Sequence, residues 1–405
     1  MSARRVFLCD VSMRSYTGHC YGYFAPIEAE LKQRGIEVHL AGNRRQAPDF
    51  HRETEALEAF TFCNDERNVG QPRRLFGLFC GANPDVIRAA HETALVNDLL
   101  ELHQRFAFRH DDLIIINTLG HWALRGIPLF AARLDPRELP RFSVISLFSS
   151  EPKPGVFNES RRHYGEAFQA ICDSPARDRI RVFSDADTLI EEYSRLSPLP
   201  VSLAPFPQDH GRPAANASGG PLIVSYVGEA RDHKGFHLLP FLVGHVGCKY
   251  SAAQVCFHIQ TYISDPRQRF YKRSMSALRK AENVTLIPGI LSDLEYSELL
   301  SRSNVILLPY KTTFYHRQTS AVYNSAASMG IPVVVSRGTW MSRKVQQLGG
   351  GALCNPDDAH SLGEAVIDVC ARYNEYAKAA SDAGSRWRAF NNTKSFIRVM
   401  DWSPD

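Results

Sequence analysis

The sequence predicts an α/β protein made of two successive doubly wound parallel-sheet halves. Three observations carry that prediction. At 405 residues the chain exceeds the roughly 250–300 residues that one hydrophobic core usually supports. Short uninterrupted apolar runs recur along it, as in strands buried on both faces, with helical stretches between them. Near residues 206–220 the composition shifts to a Pro/Gly/Ala/Ser-rich stretch that splits the series in two.

The first half, residues 1–205, opens with Val6-Phe7-Leu8-Cys9, a loop from Ser12 to Gly22, a helix from Phe24 to Gln33 ended by Gly35, and a second strand over 36–40. A parallel βαβ unit is the simplest account. Further strands are expected at 113–116, 142–146 and 181–183, and a helix to Phe106 with Asn83 as N-cap and Pro84 at its first position.

The second half, residues 221–385, repeats the scheme. Strands are expected at 222–227, 255–260, 284–287, 305–308, 332–335 and 352–354, with helices between them at 293–301 and 320–329. Residues 386–405 carry a partly helical apolar stripe: Trp387, Phe390, Phe396, Ile397 and Val399. Two such halves place a ligand cleft at the carboxyl ends of their sheets.

Composition excludes several classes. A net charge of +4 lacks the basic excess of a nucleic-acid binder. Nine cysteines, with no Cys-x-x-Cys pair, suit a reducing cytoplasm better than a disulfide or zinc framework. No apolar run approaches the about 18 residues of a membrane span, and Arg4-Arg5 leads into too short a run for a signal peptide. Any membrane contact is therefore expected to be peripheral, at the inner face. Two basic-aromatic patches would suit it, Pro72–Phe79 and Phe106/Phe108/Arg109/His110, although helix ends with buried faces explain both more plainly.

Chemistry concentrates after the linker. Tyr226-Val227-Gly228-Glu229-Ala230-Arg231-Asp232-His233-Lys234-Gly235 leaves a strand and enters an apolar helix. Glycine lets a phosphate approach bare backbone, Arg231 offers a planar fork of donors, and Lys234 a point charge. A solvated turn with two surface cations is the plainer alternative. Farther on, Leu307-Leu308-Pro309-Tyr310 ends a strand. A polar loop with Arg317 follows, and then a helix opening at Thr319-Ser320-Ala321-Val322, whose free amides would suit an anion. An ordinary βαβ crossover explains it equally well.

Taken in order, these segments resemble the C-terminal half of the family-four retaining glycosyltransferases, which have the GT-B fold. The resemblance covers about 221–400 and runs through Gly-x-x-Arg-x-x-Lys-Gly (228–235), Val-Thr-Leu-Ile-Pro-Gly (284–289), Leu-Leu-Pro-Tyr (307–310) and Gly-Ile-Pro-Val-Val (330–334). The N-terminal half matches only through the Gly18 loop and the first βαβ unit.

The resemblance implies a hexosyltransferase that moves a sugar from a nucleotide-sugar to an acceptor hydroxyl on a glycan, lipid-linked or protein acceptor, with retention, in bacterial glycan or glycoconjugate synthesis. It implies no cofactor and no catalytic metal. Arg231 and Lys234 would neutralise the donor diphosphate. The loop with Gly289 and Leu291 would pack on the nucleobase, and amides from Thr319 to Val322 would reach the phosphates. Gly18 and His19 would face acceptor and donor phosphate, and His121 the donor sugar. The family usually carries two glutamates eight positions apart; here those positions hold Arg317 and Ser325. The departure leaves open a rearranged donor site or a catalytically impaired GT-B protein acting as a partner subunit. Arg317 could instead meet an anionic sugar. A nucleotide-sugar epimerase would need carboxylates that the sequence does not clearly place. Asp185-Ala186-Asp187 fits a metal-binding Asp-x-Asp, but N-capping of the helix after it explains the pair.

Overall fold

The computed structural model describes residues 4–16, 19–63, 83–151, 159–207 and 220–402. The chain divides into two compact units. The first runs to Pro207 and takes back the chain from Thr393 onward; the second ends at Asn392. Most of the linker expected at 206–220 lies outside the described residues, as does the patch Pro72–Phe79.

Among the described residues the first unit holds seven strands: β1 (Arg5–Asp10), β2 (Glu37–Asn43), β3 (Leu57–Phe60), β4 (Leu113–Asn117), β5 (Arg141–Ile145), β6 (Ile180–Ser184) and β7 (Val201–Leu203). They pair in the order β3-β2-β1-β4-β5-β6-β7, all parallel. The second holds β8 (Leu222–Tyr226), β9 (Val255–Gln260), β10 (Val284–Ile287), β11 (Val305–Leu308), β12 (Val333–Ser336) and β13 (Gly351–Cys354). Their order is β10-β9-β8-β11-β12-β13, again parallel. The chain order reverses beside β1 in one sheet and beside β8 in the other. Each unit therefore has one switch point, at the carboxyl ends of β1/β4 and of β8/β11.

The central strands β1, β4, β5 and β11 are buried along their whole length, which is why β1, β4 and β11 read as unbroken apolar runs. Strands β3 and β7 carried no such signal: one is four residues that bury only half, the other three residues among prolines. The helix Pro84–Phe106 starts as its sequence predicts, with the Asn83 side chain accepting from the Asp85 amide. The first helix begins at His19 rather than Phe24 and takes Pro26 into its interior.

The expectation of one terminal element from 386 needs correction. Helix Tyr373–Phe390 ends first, and the side-chain amides of Asn391 and Asn392 fold back onto the carbonyls of Trp387 and Arg388. That capping breaks the chain before helix Thr393–Met400, so the stripe splits. Trp387 packs edge-on to Tyr323 and Trp340 in the second unit. Phe396 meets Tyr23 in the first, where the Trp402 indole donates to Ser143 Oγ at 3.0 Å.

One other expectation changes, and the plainer reading of a second holds. Ala186 is the N-cap of helix Asp187–Tyr193, and Asp187 occupies the first turn, its carboxylate taking the Thr188 amide. Phe106 and Phe108 pack against Phe7 at 5.4 and 5.1 Å, so that basic-aromatic pair is a core feature. No helix among the described residues is long and apolar enough to cross a membrane.

Candidate functional site

Of the residues singled out after the linker, Gly228, Lys234 and Val322 meet at the switch point of the second sheet. Strand β8 ends at Tyr226, and Gly228 turns the chain with φ +103°. The Gly228 amide donates to Gln260 Oε1 at 2.7 Å, and Gln260 Nε2 donates to the Gly289 carbonyl at 3.1 Å. One buried side chain at the end of β9 thus fixes the loops leaving β8 and β10. Gly289 itself has φ +80° and is exposed; Leu291, half-buried, follows just ahead of the Ser292 capping box.

A short 3-10 turn, Asp232–Lys234, closes on Gly235 in the left-handed conformation. A Cβ at Gly235 would lie 2.3 Å from the Pro309 carbonyl oxygen, so only glycine lets the turn press onto the end of β11. The turn delivers Lys234 beneath Gly228: a Cβ on Gly228 would sit 3.2 Å from Lys234 Nζ and 3.9 Å from Val322 Cγ2. The missing side chain leaves backbone, ammonium and the start of helix Ala321–Met329 around one small space. Lys234 Nζ also lies 5.8 Å from the ring centre of the buried Tyr310. Burial pushes the Lys234 ammonium down to about 8, with Arg231 adding repulsion and Glu229 opposing it.

Arg231 is exposed and turned onto Glu229, with Nε and Nη2 at 2.6 and 2.5 Å from Glu229 Oε2. The other carboxylate oxygen takes the Ser264 amide at 3.1 Å. Burial would raise the Glu229 carboxyl, but Arg231 and Ser264 outweigh it and hold it below its ordinary value. His233 stacks on Phe314 at 4.6 Å; burial and the neighbouring cations push it down to about 4. Asp232 takes an ion pair from Lys311 at 2.7 Å and lies 3.1 Å from His237, whose Nε2 reaches Asp357 at 2.7 Å. This charged lattice ties together the loops after β8, β11 and β13.

Helix Ala321–Met329 is capped by Ser320, whose hydroxyl accepts from the Tyr323 amide. The amides of Ala321 and Val322 in its first turn have no helical carbonyl to bond. Thr319 and Arg317 lie half-buried just before it, and both have partners. Ser325 is 1% exposed and hydrogen-bonded to the Tyr296 hydroxyl, so this side chain is already engaged in the interior.

The first unit's switch point is built differently. Asp10 ends β1, fully buried. Its carboxylate accepts from the Ser12 amide at 2.8 Å, Asn117 Nδ2 at 3.1 Å and Thr118 Oγ1 at 3.3 Å, with a further bond to Cys20. Burial lifts the Asp10 carboxyl to about 6 despite these donors. His121 follows, 7% exposed, its ring 4.4 Å from Trp122, 5.7 Å from His163 and 5.4 Å from Tyr164. Gly18 lies outside the described residues, and of His19 only the backbone, which opens a helix, is described.

Gln260, Glu229, Asp10 and Asn117 were not singled out from the sequence. Gln260, Asp10 and Asn117 share a signal: each is the polar residue at the carboxyl end of a largely apolar strand.

With both sheets and both switch points established, solved structures match the chain over nearly its whole length. Anabaena HepE, solved in complex with UDP, superposes with a TM-score of 0.66 at 14% identity, covering 98% of each chain. The sucrose-phosphate synthase of Thermosynechococcus elongatus gives 0.64 at 16% identity, covering 98% of this chain and 97% of that one. The UDP-GlcNAc 2-epimerase of Neisseria meningitidis, bound to UDP-GlcNAc, gives 0.59 at 15% identity and 99% of each. The fold is GT-B. No family model matches the chain, and no curated protein matches its sequence. At these identities the likeness to other GT-B proteins is one of architecture, and an epimerase stands among them beside transferases.

Proposed function

We propose that this GT-B protein is a glycosyltransferase that takes its nucleotide-sugar donor at the switch point of the second sheet. One observation carries the reading. Lys234 is a desolvated ammonium kept beside bare Gly228 backbone and the open amides of helix Ala321–Met329, an arrangement that suits a diphosphate. The architecture shared with UDP-bound HepE supports it.

In this reading, Lys234 and Arg231 stabilise the charge that grows on the departing nucleoside diphosphate. The anomeric C–O bond to the diphosphate breaks, a new one forms to an acceptor hydroxyl on a glycan, lipid-linked or protein acceptor, and the hydroxyl proton leaves on a phosphate oxygen. Configuration is retained and no metal is required. The Gly289–Leu291 loop borders the base, with Gln260 fixing its distance from the phosphates. Because Arg231 rests on Glu229, it must swing away to meet the donor, or share itself between the two.

Calorimetry with UDP, GDP and other nucleoside diphosphates, then transfer and donor-hydrolysis assays with the matching sugars, tests this. At least one nucleotide should bind, and Lys234→Ala should weaken it strongly. Binding of none rejects the donor site. A second reading, a partner subunit without turnover, is favoured by Ser325, a neutral and internally bonded side chain where the resembled family carries a glutamate. Nucleotide binding with no transfer or hydrolysis of any donor would select it.

A further inference from the structure

A second cluster of coordinating side chains lies on the helices of the second unit, separate from the residues gathered around Lys234. Helix Leu239–Gly247 carries His245, and helix Ala359–Ala371 carries His360 and Glu364. The spacing of four on one helix puts His360 and Glu364 on one face, one turn apart. Their ligand atoms and one from His245 all lie within 4.8 Å of one another. His245 Nε2 is 2.6 Å from Glu364 Oε1, and the His245 and His360 rings are 4.9 Å apart.

The fold spends a residue on this approach. A Cβ at Gly363 would lie 2.5 Å from His245 Cδ2, so His245 can lie across the second helix only because position 363 has no side chain. The exposed Phe241 stacks on the His245 ring, 5.7 Å away and 13° from parallel, which fixes the ring plane.

We infer that His245, His360 and Glu364 form a divalent transition-metal site, with Zn²⁺ the best fit, that clamps the two helices together. Two imidazoles and one carboxylate suit Zn²⁺, whereas Ca²⁺ and Mg²⁺ favour all-oxygen shells. Zinc bonds of about 2.0–2.2 Å at tetrahedral angles separate neighbouring ligands by about 3.4 Å, so His245 and Glu364 need part by only about 1 Å. The ion replaces the hydrogen bond between them: the hydrogen on His245 Nε2 moves to Nδ1, so the ring coordinates through Nε2 as a neutral imidazole, and water takes the fourth position. The clamp is independent of the proposed transfer reaction, since none of its ligands belongs to the donor residues.

The test is titration of the chelator-stripped full-length protein with Zn²⁺ at about pH 7.5. Uptake of one ion per chain and a rise in melting temperature with Zn²⁺ are expected. Cobalt substitution should give the intense visible bands of a four-coordinate ion. His360→Ala and Glu364→Gln, both at exposed positions and so expected to fold, should each weaken uptake at least about tenfold. The absence of uptake by the wild type, or undiminished uptake by either variant, would overturn the assignment.

Discussion

The two sheets place a charged side chain at the same topological point, but the charges are opposite. In the first unit the switch point holds Asp10, a buried carboxylate lifted to about 6 and surrounded by an amide, a side-chain amide, a hydroxyl and a thiol. In the second it holds Lys234, an ammonium pushed down to about 8, with Arg231 nearby and a glycine leaving the backbone bare. The donors around Asp10 are already used on that carboxylate, so the site is closed on itself. The cations around Gly228 crowd one another, and an anion would relieve them. The same strand order thus gives a position twice, and side-chain charge decides which position takes a phosphate.

The largest test is to remove the second unit's charge. Lys234→Met should weaken nucleoside diphosphate binding by about 2–3 kcal/mol, or about 100-fold, as for loss of a charge-assisted contact. The same change should stabilise the empty protein. A lysine whose pKa falls from 10.5 to about 8 on folding costs stability wherever it stays charged, below about pH 8. Its replacement at pH 7 should return up to about 3 kcal/mol, read as a higher melting temperature. Weaker binding with no gain in empty-state stability would mean the ammonium is better solvated than its surroundings imply.

The Asp10 site should respond to pH with its own sign. A carboxyl whose folded pKa, about 6, lies above its unfolded value of 3.8 binds more protons when folded. Its ionisation therefore costs stability above about pH 6, and that cost fades as pH falls toward 4. The ceiling is about 3 kcal/mol. Asp10→Asn should remove this dependence, because Asn117 Oδ1, buried and without a hydrogen-bond partner, can accept from the new amide once the Asn117 side chain flips. Melting temperatures at pH 5 and 7.5 would then differ less in the variant than in the wild type. An equal difference in both would place the titration elsewhere.

Nucleotide affinity supplies the mirror image. Lys234 loses its proton as pH rises through about 8, so binding must take up a proton above that point. The dissociation constant should climb by about tenfold per pH unit between the free and bound pKa values. A flat profile from pH 7 to 9.5 would remove Lys234 from the phosphate.

Much of this was legible before any coordinates. The unbroken apolar runs of β1, β4 and β11 reported strands buried on both faces. The Gly228 and Gly235 turn reported close backbone approach, because no other residue type answers a +76° φ beside a carbonyl 2.3 Å from the missing Cβ. The partners of the charged residues were not legible. Arg231 pairs with Glu229, two positions away, by a choice of rotamer, and Ser325 meets Tyr296 from a different helix. Gln260 joins the loops of β8 and β10 from a strand lying between them. Such contacts depend on strand order, which a hydrophobic pattern does not encode. The short strands β3 and β7 escaped because too few residues carried any period. The Asn391-Asn392 break escaped because its signal is side-chain capping inside an otherwise helical stripe.

The smallest effect probes how far Glu229 mutes the cationic site. Its carboxylate holds Arg231 and takes the Ser264 amide, so it both neutralises one cation and fixes the turn. Glu229→Gln keeps an oxygen for the Ser264 amide and removes the charge that competes with a diphosphate for Arg231. The freed guanidinium should strengthen nucleotide binding by about 0.5–1 kcal/mol, the scale of an exposed ion pair. An opposing effect must be kept out of the measurement. Glu229 is also the group that supports the charge on Lys234, so its loss lowers the ammonium further. At pH 6.5 Lys234 should stay protonated in both proteins and the gain from Arg231 should appear alone. Near pH 8.5 the variant should lose its advantage as Lys234 discharges first. Weaker binding at pH 6.5 would mean that Glu229 is needed to aim Arg231 rather than to restrain it.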